Sequence, residues 1–398
     1  MINRNVEMSK AMTADVKSTP DAPLLVEKKY FTFAEPPGEM ILDSGARLGP
    51  ITLAYETLGE LNRDRSNAIL VLHACTGDSH VAGYYPDDNT RPGWWDGMVG
   101  PGKPIDTNRW FVICSNILGS CMGSTGPASI NPATGKRYGL DFPMVTIRDM
   151  VRAQRQLVEH LGISRIMALI GGSVGGMQVL RWCVEYPEMV GSAIALATTT
   201  RHSAQAIAFN EVARQAIMSD PDWKGGQYYD GPGPRHGLAV ARMIGHVTYL
   251  SDESMREKFG RRLQNRSSLS FDFGVDFQVE SYLHHQGAKF VDRFDANALL
   301  YITKAADYFD LESGDGSNLV DDRLRDIRFL VLSFSSDWLY PTYQSRAIVS
   351  ALKKNGCDVS FCEIESRWGH DAFLMPSERL YTLVNRFLDR VDRELGVC

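Results

Sequence analysis

The sequence predicts an α/β protein with a mostly parallel central sheet, and the spacing of its apolar residues carries this prediction. Short apolar runs of strand length recur along the chain, each followed by a loop and often by a helical pattern. Such runs are typical of parallel strands that are buried on both faces. The length of 398 residues suits one large domain with an insertion. A composition of 44% hydrophobic and 23% charged residues excludes a disordered, collagenous or coiled-coil chain.

The predicted strands fall into two groups. Between Phe31 and Glu60, short segments separated by turn residues predict antiparallel strands. Further along the chain, apolar runs predict buried parallel strands over residues 68–73, 110–116, 166–171, 192–198, 329–334 and 359–364.

Two helices are predicted from apolar residues at helical spacing. One runs from Thr146 to Leu161, with Thr146 as its N-cap and Gly162 just past its end. Because this helix connects two predicted strands, the right-handed crossover rule favours a parallel sheet with helices on both faces. The other helix spans residues 378–395.

The chain is predicted to divide into three parts. Residues 1–25 show no sustained period and predict a flexible N-terminal arm. Residues 26–199 and 311–398 form the predicted α/β core. Residues 200–310 break the strand–helix rhythm and predict a helical lid insertion over the sheet.

Charge and cysteine content exclude several functions. The 42 Lys and Arg against 48 Asp and Glu give a net charge of -6, which provides no global positive field for nucleic acid. No stretch approaches the roughly 18 apolar residues of a membrane span, and no signal-peptide core is present near residue 1. We therefore expect a cytoplasmic protein without nucleic-acid or membrane partners. The seven cysteines lack CxxC spacing, so we expect reduced thiols and no metal site.

A GxSxG pattern stands at the end of one predicted strand, as Gly171, Ser173 and Gly175. In a nucleophile elbow, glycines remove the side chains that would clash around a strained serine. A glycine-rich turn that only packs a helix against a strand would show the same pattern. The segment lacks the GxGxxG of a dinucleotide site and the GK[ST] of a P-loop.

A serine nucleophile needs a base and a carboxylate, and both follow in the order Ser, Asp, His. Asp337 comes just after the run 329–334, and His370 follows the run 359–364. Because the ends of parallel strands open onto one edge of a sheet, we expect Ser173, Asp337 and His370 to form a catalytic triad there. For the other eight histidines, a surface or satisfied buried position is the simpler interpretation.

An oxyanion hole needs two backbone N–H groups that point at the developing negative charge. We expect one from Val174, which follows Ser173, and the second from Cys75 in the loop after the run 68–73. The alternatives for Cys75 are a packing residue and a reactive thiol.

Longer segments accompany the candidate triad, at residues 77–85, 92–107, 123–139, 209–217 and 369–374. Together with GGSVGGMQ and SSDWLYP, these segments resemble those of the homoserine O-acyltransferases of the α/β-hydrolase fold. The resemblance runs from about Phe31 to the end of the chain. The resemblance implies acyl transfer from an acyl-CoA to the hydroxyl of L-homoserine, in methionine biosynthesis, through an acyl-serine and without a bound cofactor. It also implies a homodimer that contacts through the lid.

The resemblance assigns substrate binding to Arg214 and Asp371. A guanidinium fork suits the carboxylate of a zwitterionic amino acid, and a carboxylate suits its ammonium group. The alternatives are a helix-surface pair of Arg214 with Glu211 and a simple cap at Asp371. Val174 and Cys75 depart from the commonest family residues, which leaves the width of the cavity open.

The identity of the acyl donor and of the acceptor stays open at this stage. Succinyl-specific members of the family tend to carry an arginine two residues after the catalytic aspartate, where this chain has Leu339. This favours acetyl-CoA as co-substrate, although Arg201 could supply a cation for succinyl-CoA. Serine as acceptor, an esterase that uses water, and a non-catalytic scaffold are the remaining alternatives.

Overall fold

A computed structural model describes residues 23–88, 90–313 and 318–397. The arm predicted over residues 1–25 therefore lies outside the described residues up to residue 22. No helix in the described part of the chain is long and apolar enough to cross a membrane.

The described residues contain strands at Lys29–Phe33 (β1), Met40–Ile41 (β2), Arg47–Leu48 (β3), Ile51–Leu58 (β4), Ala68–Leu72 (β5), Val99–Gly100 (β6), Ile105–Asp106 (β7), Phe111–Ser115 (β8), Ala168–Gly172 (β9), Ser192–Leu196 (β10), Arg328–Phe334 (β11) and Asp358–Ile364 (β12). Eight of these form the central sheet, in the order β1-β4-β8-β5-β9-β10-β11-β12. The strand pairs β1–β4 and β4–β8 are antiparallel, and all later neighbours are parallel. The predicted α/β fold with a mostly parallel sheet is confirmed.

The described helices lie at Ile147–His160 (α1), Val174–Glu185 (α2), Ala204–Met218 (α3), Arg235–Tyr249 (α4), Asp252–Lys258 (α5), Gln278–Val291 (α6), Ala296–Asp307 (α7), Thr342–Lys354 (α8) and Glu378–Leu395 (α9). The predictions of α1 and α9 are confirmed. Thr146 caps α1 as expected: its hydroxyl accepts the Asp149 N–H, and the Asp149 carboxylate accepts the Thr146 N–H.

The sheet is buried on both faces because successive side chains of a strand point to opposite sides. In β5, Leu70 packs with α1 and α2, whereas Ile69 packs with α9 on the other face. The whole of β5, β9 and β10 is buried. This burial explains why these strands appear in the sequence as unbroken apolar runs.

Helices α3 to α7 follow one another in the long segment between β10 and β11. Their apolar residues, among them Leu238 and Phe290, belong to the same buried cluster as α1 and α2. Helices α3, α4, α6 and α7 therefore pack on the core instead of standing apart from it. The boundaries predicted for a lid, 200–310, stay a prediction.

Candidate active site

Ser173 stands on a strained turn between β9 and α2. Its φ of 58° and ψ of -124° lie in a region that L residues rarely adopt. The turn fits only because Gly175 carries no side chain, since a Cβ there would lie 2.1 Å from the carbonyl oxygen of Leu72. The sequence therefore folds locally as a nucleophile elbow, with the serine at the first turn of a helix.

Asp337 and His370 come together beyond the ends of β11 and β12. The Nδ1 of His370 lies 2.8 Å from Oδ2 of Asp337. The other carboxylate oxygen of Asp337 accepts the backbone N–H groups of Leu339 and Tyr340, at 3.0 and 2.9 Å. Both side chains are buried. This carboxylate therefore fixes the imidazole and leaves Nε2 as its free ring nitrogen.

Ser173, Val174 and Cys75 line one cavity, which we call the Ser173 cavity. Val174 is the first residue of α2, so its N–H has no acceptor inside the helix. Burial raises the pKa of the Cys75 thiol to about 12, which argues against a thiolate nucleophile.

The hydroxyl of Tyr340 lies beside a second buried histidine, 3.1 Å from Nε2 of His202. Burial raises the pKa of Tyr340, and the nearby Ser173 side chain opposes this shift. No hydrogen bond joins Ser173 to His370 within the described ranges of the chain. The rings of Tyr340 and His370 are nevertheless neighbours, with centroids 4.9 Å apart. The structure thus brings Asp337 and His370 into direct contact, and it places Tyr340 next to His370 and in the same cavity lining as Ser173.

Arg214 does not line the Ser173 cavity. Its guanidinium forms an ion pair with Asp307 at 2.7 Å and with Glu211 at 2.8 Å, and it is buried. Asp307 also accepts from Asn210 at 2.8 Å and lies 3.2 Å from Nδ1 of His202. Burial alone would raise the pKa of Asp307, but these partners lower it, so the carboxylate that holds Arg214 is ionised at neutral pH.

Arg242, on α4, lies in the cavity lining beside Ser173 and Cys75. It donates to the Thr76 hydroxyl at 3.3 Å and lies 4.7 Å from the centre of the Phe290 ring. No carboxylate in the described part of the chain comes within 4.0 Å of its guanidinium. Sequence analysis missed this arginine because nothing in the sequence tells which face of α4 meets the strand ends.

Asp371 follows His370 directly and lies on the same short helical turn. Burial raises the pKa of its carboxyl group, and the charge of Asp337 raises it further. The charges of His370, Arg242 and Lys258 lower it. Asp371 is not among the residues that line the Ser173 cavity, and the charge of Arg242 acts on it without an ion pair within 4.0 Å in the described part of the chain.

A strained serine, an imidazole with its carboxylate and free backbone N–H groups are the parts needed for acyl transfer. No group of three or more His, Cys, Asp or Glu residues that could hold a metal ion occurs in the residues the structure describes. Fold and site together define an α/β hydrolase. The family model for the alpha/beta hydrolase fold matches residues 67–375 of this chain.

Comparison with characterised proteins narrows this class. A homoserine O-acetyltransferase of Solidesulfovibrio magneticus is 65% identical over 92% of this chain and 93% of its own length. The crystal structure of a homoserine O-acetyltransferase from Bacillus anthracis has a TM-score of 0.85 and 32% identity, over 92% of this chain and 98% of that one. The chain belongs to the homoserine O-acetyltransferase family. The structure of esterase E22 is also similar, with a TM-score of 0.81 and 31% identity over 91% of this chain and all of that one.

Proposed function

We propose that this protein transfers the acetyl group of acetyl-CoA to the side-chain hydroxyl of L-homoserine. The observation that carries the proposal is the Ser173 cavity, which combines the strained serine with an unpaired arginine, Arg242. Relatives named homoserine O-acetyltransferase cover almost the whole chain at high identity, which supports the same conclusion.

The first half of the reaction forms an acetyl-serine. His370 Nε2 accepts the proton of the Ser173 hydroxyl while the serine oxygen attacks the thioester carbon. The tetrahedral intermediate collapses by breaking the C–S bond, and His370 returns the proton to the sulfur of departing CoA. The N–H groups of Val174 and Cys75 stabilise the oxyanion of this intermediate.

Ser173 has to form a hydrogen bond with His370 before it can react. Tyr340 lies beside both residues, because it lines the Ser173 cavity and its ring centre is 4.9 Å from that of His370. Rotation about the Cα–Cβ bond of Ser173 turns its hydroxyl towards His370. Hydrogen bonds of this kind often tighten only when substrate is bound.

The second half of the reaction transfers the acetyl group to homoserine. Arg242 binds the substrate carboxylate and Asp371 its ammonium group, which holds the hydroxyl towards the acetyl-serine. The hydroxyl gives its proton to His370, attacks the ester carbon and displaces the serine oxygen, which takes the proton back. We assign the carboxylate to Arg242 and not to Arg214, because the charge of Arg214 is already neutralised by Asp307.

The lining of the cavity favours an acetyl donor and an amino-acid acceptor. Leu339, two residues after Asp337, is buried and lines the Ser173 cavity, where the carboxylate of a succinyl group would lose its hydration. Arg201 forms ion pairs with Asp310 and Glu312 and does not line this cavity. Homoserine instead of serine as acceptor rests on the names of the relatives.

Hydrolysis is the second candidate, because the similar structure of esterase E22 shares this fold at 31% identity. An esterase of apolar substrates has no use for the charged pair of Arg242 and Asp371. Transfer prevails over hydrolysis when the bound acceptor is better placed than water at the acetyl-serine.

A rapid-mixing experiment tests the proposal. Acetyl-CoA alone should release about one CoA per active site in a burst, and homoserine should then start turnover that yields O-acetylhomoserine. The variant Ser173→Ala should lose both the burst and the turnover. A burst that is followed by equal turnover with and without homoserine would indicate an esterase, and full activity of Ser173→Ala would refute the acetyl-serine.

The quaternary state and the compartment complete the proposal. Exposed apolar side chains on α3, Ile207 and Val212, support a homodimer that contacts through the inserted helices. Sedimentation at micromolar concentration tests it, with Val212→Lys expected to give monomers. Six free cysteines within the described ranges support a reducing compartment such as the cytoplasm.

A further inference from the structure

A second cavity adjoins the Ser173 cavity and shares two of its residues, Arg242 and Phe290. This outer cavity is open to solvent. Because Arg242 and Phe290 line both cavities, the two cavities lie next to each other at these side chains.

The outer cavity is lined by four cations, which we call the mouth cluster: Arg91, Arg242, Lys289 and Arg293. None of the four has a carboxylate within 4.0 Å among the residues that the structure describes. The lining contains one carboxylate, Asp292, which is already paired with Arg235 at 2.7 Å. The cavity therefore carries uncompensated positive charge, which costs free energy unless an anion binds there.

Two contacts fix the mouth cluster to the loop that carries Cys75. Arg293 donates to the carbonyl oxygen of Thr76 at 3.0 Å, and Arg242 donates to the hydroxyl of the same residue. Both guanidinium groups lie over the ring of Phe290, at 5.7 and 4.7 Å from its centre. These contacts hold the two cations in place before a ligand arrives.

The cations also repel one another. Partial burial lowers the pKa of Arg293, and the charges of Arg242 and Arg91 lower it further, whereas Asp78 raises it. Lys289, on the last turn of α6, and Arg293, just beyond this helix, both retain exposed surface that a ligand can contact.

We propose that three residues of the mouth cluster, Arg91, Lys289 and Arg293, bind the phosphate groups of the CoA donor, while Arg242 remains for the homoserine carboxylate. This inference rests on the proposed function. Arginine forks and lysine ammonium groups both form strong, charge-assisted hydrogen bonds with phosphates. Bound at the mouth, the phosphates orient the pantetheine arm so that the thioester enters the Ser173 cavity past Arg242 and Phe290.

The test compares two donors in the double variant Lys289→Ala/Arg293→Ala. For acetyl-CoA the KM should rise at least tenfold, since charge-assisted hydrogen bonds are lost. For S-acetylpantetheine, which has no phosphate, the KM should not change, and neither should the KM for homoserine. The control variant Lys304→Ala removes a charge from α7 outside the lining and should behave as the wild type with both donors.

Salt provides an independent measurement. The wild-type KM for acetyl-CoA should rise with ionic strength, and the double variant should lose most of this dependence. Inorganic phosphate should compete with acetyl-CoA in the wild type and lose this effect in the variant. An equal rise of KM for both donors, or no rise with acetyl-CoA, would overturn the inference. A wild-type protein that releases no CoA at all would instead refute the proposed function.

Discussion

Replacement of two arginines by methionine separates the role of Arg242 from that of Arg214. Methionine keeps part of the apolar stem of each side chain and removes its charge. In Arg242→Met, the bond to the homoserine carboxylate is lost. Charge-assisted hydrogen bonds contribute about 1.5–3 kcal/mol, so kcat/KM for homoserine should fall about 10- to 140-fold. The stability should change little, because Arg242 has no ion-pair partner among the described residues.

Arg214→Met should have the opposite profile. It removes a buried ion pair with Asp307, at 2.7 Å. Breaking such a pair leaves a buried charge and destabilises by about 3–5 kcal/mol. Because His202 and Asn210 still bond to Asp307, we expect the lower end of this range. For a chain of this length, about 3 kcal/mol lowers the Tm by about 4 °C.

Two assays read the variants together: thermal unfolding followed by circular dichroism, and steady-state release of CoA at varied homoserine. Arg214→Met should keep its KM for homoserine within about threefold at a temperature where it is folded. The reasoning would be refuted if Arg214→Met raised this KM strongly at unchanged Tm while Arg242→Met bound homoserine normally. In that case the side chain predicted from the sequence would be the binding residue after all.

Three further predictions concern the triad, the elbow and pH. Asp337→Asn should lower the rate of CoA release by about 10⁴ because the imidazole loses its orienting carboxylate, and a fall of less than tenfold in a stopped-flow assay would argue against the triad. Gly175→Ala should abolish the CoA burst and destabilise the fold by about 1–3 kcal/mol, since its Cβ would meet the Leu72 carbonyl oxygen. Gly231→Ala should behave as wild type in both measurements, because its Cβ would make only ordinary van der Waals contacts. Because burial raises the pKa of Asp371, the KM for homoserine should climb as the pH falls, and it should do so at a higher pH than for an ordinary aspartate. The CoA burst measured without homoserine should not show this pH dependence. If Asp371→Asn kept the wild-type pH dependence of the KM for homoserine, Asp371 would not be the group that binds the ammonium.

The sequence by itself determined the strands, their parallel arrangement and the order of the candidate triad. These features follow from local patterns: unbroken apolar runs such as 68–73 arise wherever a strand is covered on both faces. The elbow was predictable from its local GxSxG pattern. The structure explains this pattern, because the close approach to Leu72 excludes every side chain at Gly175. The contact between Asp337 and His370 followed from strand order alone.

Only the tertiary structure decided which residues of the inserted helices face the site. Arg214 and Arg242 are alike as amino acids, yet one meets Asp307 and the other meets the Ser173 cavity. The pairing of His202 with Tyr340 also joins residues 138 positions apart. Such contacts depend on how the helices pack on the sheet. The apolar pattern of a helix shows which of its faces is buried, but it does not show which residues that face meets.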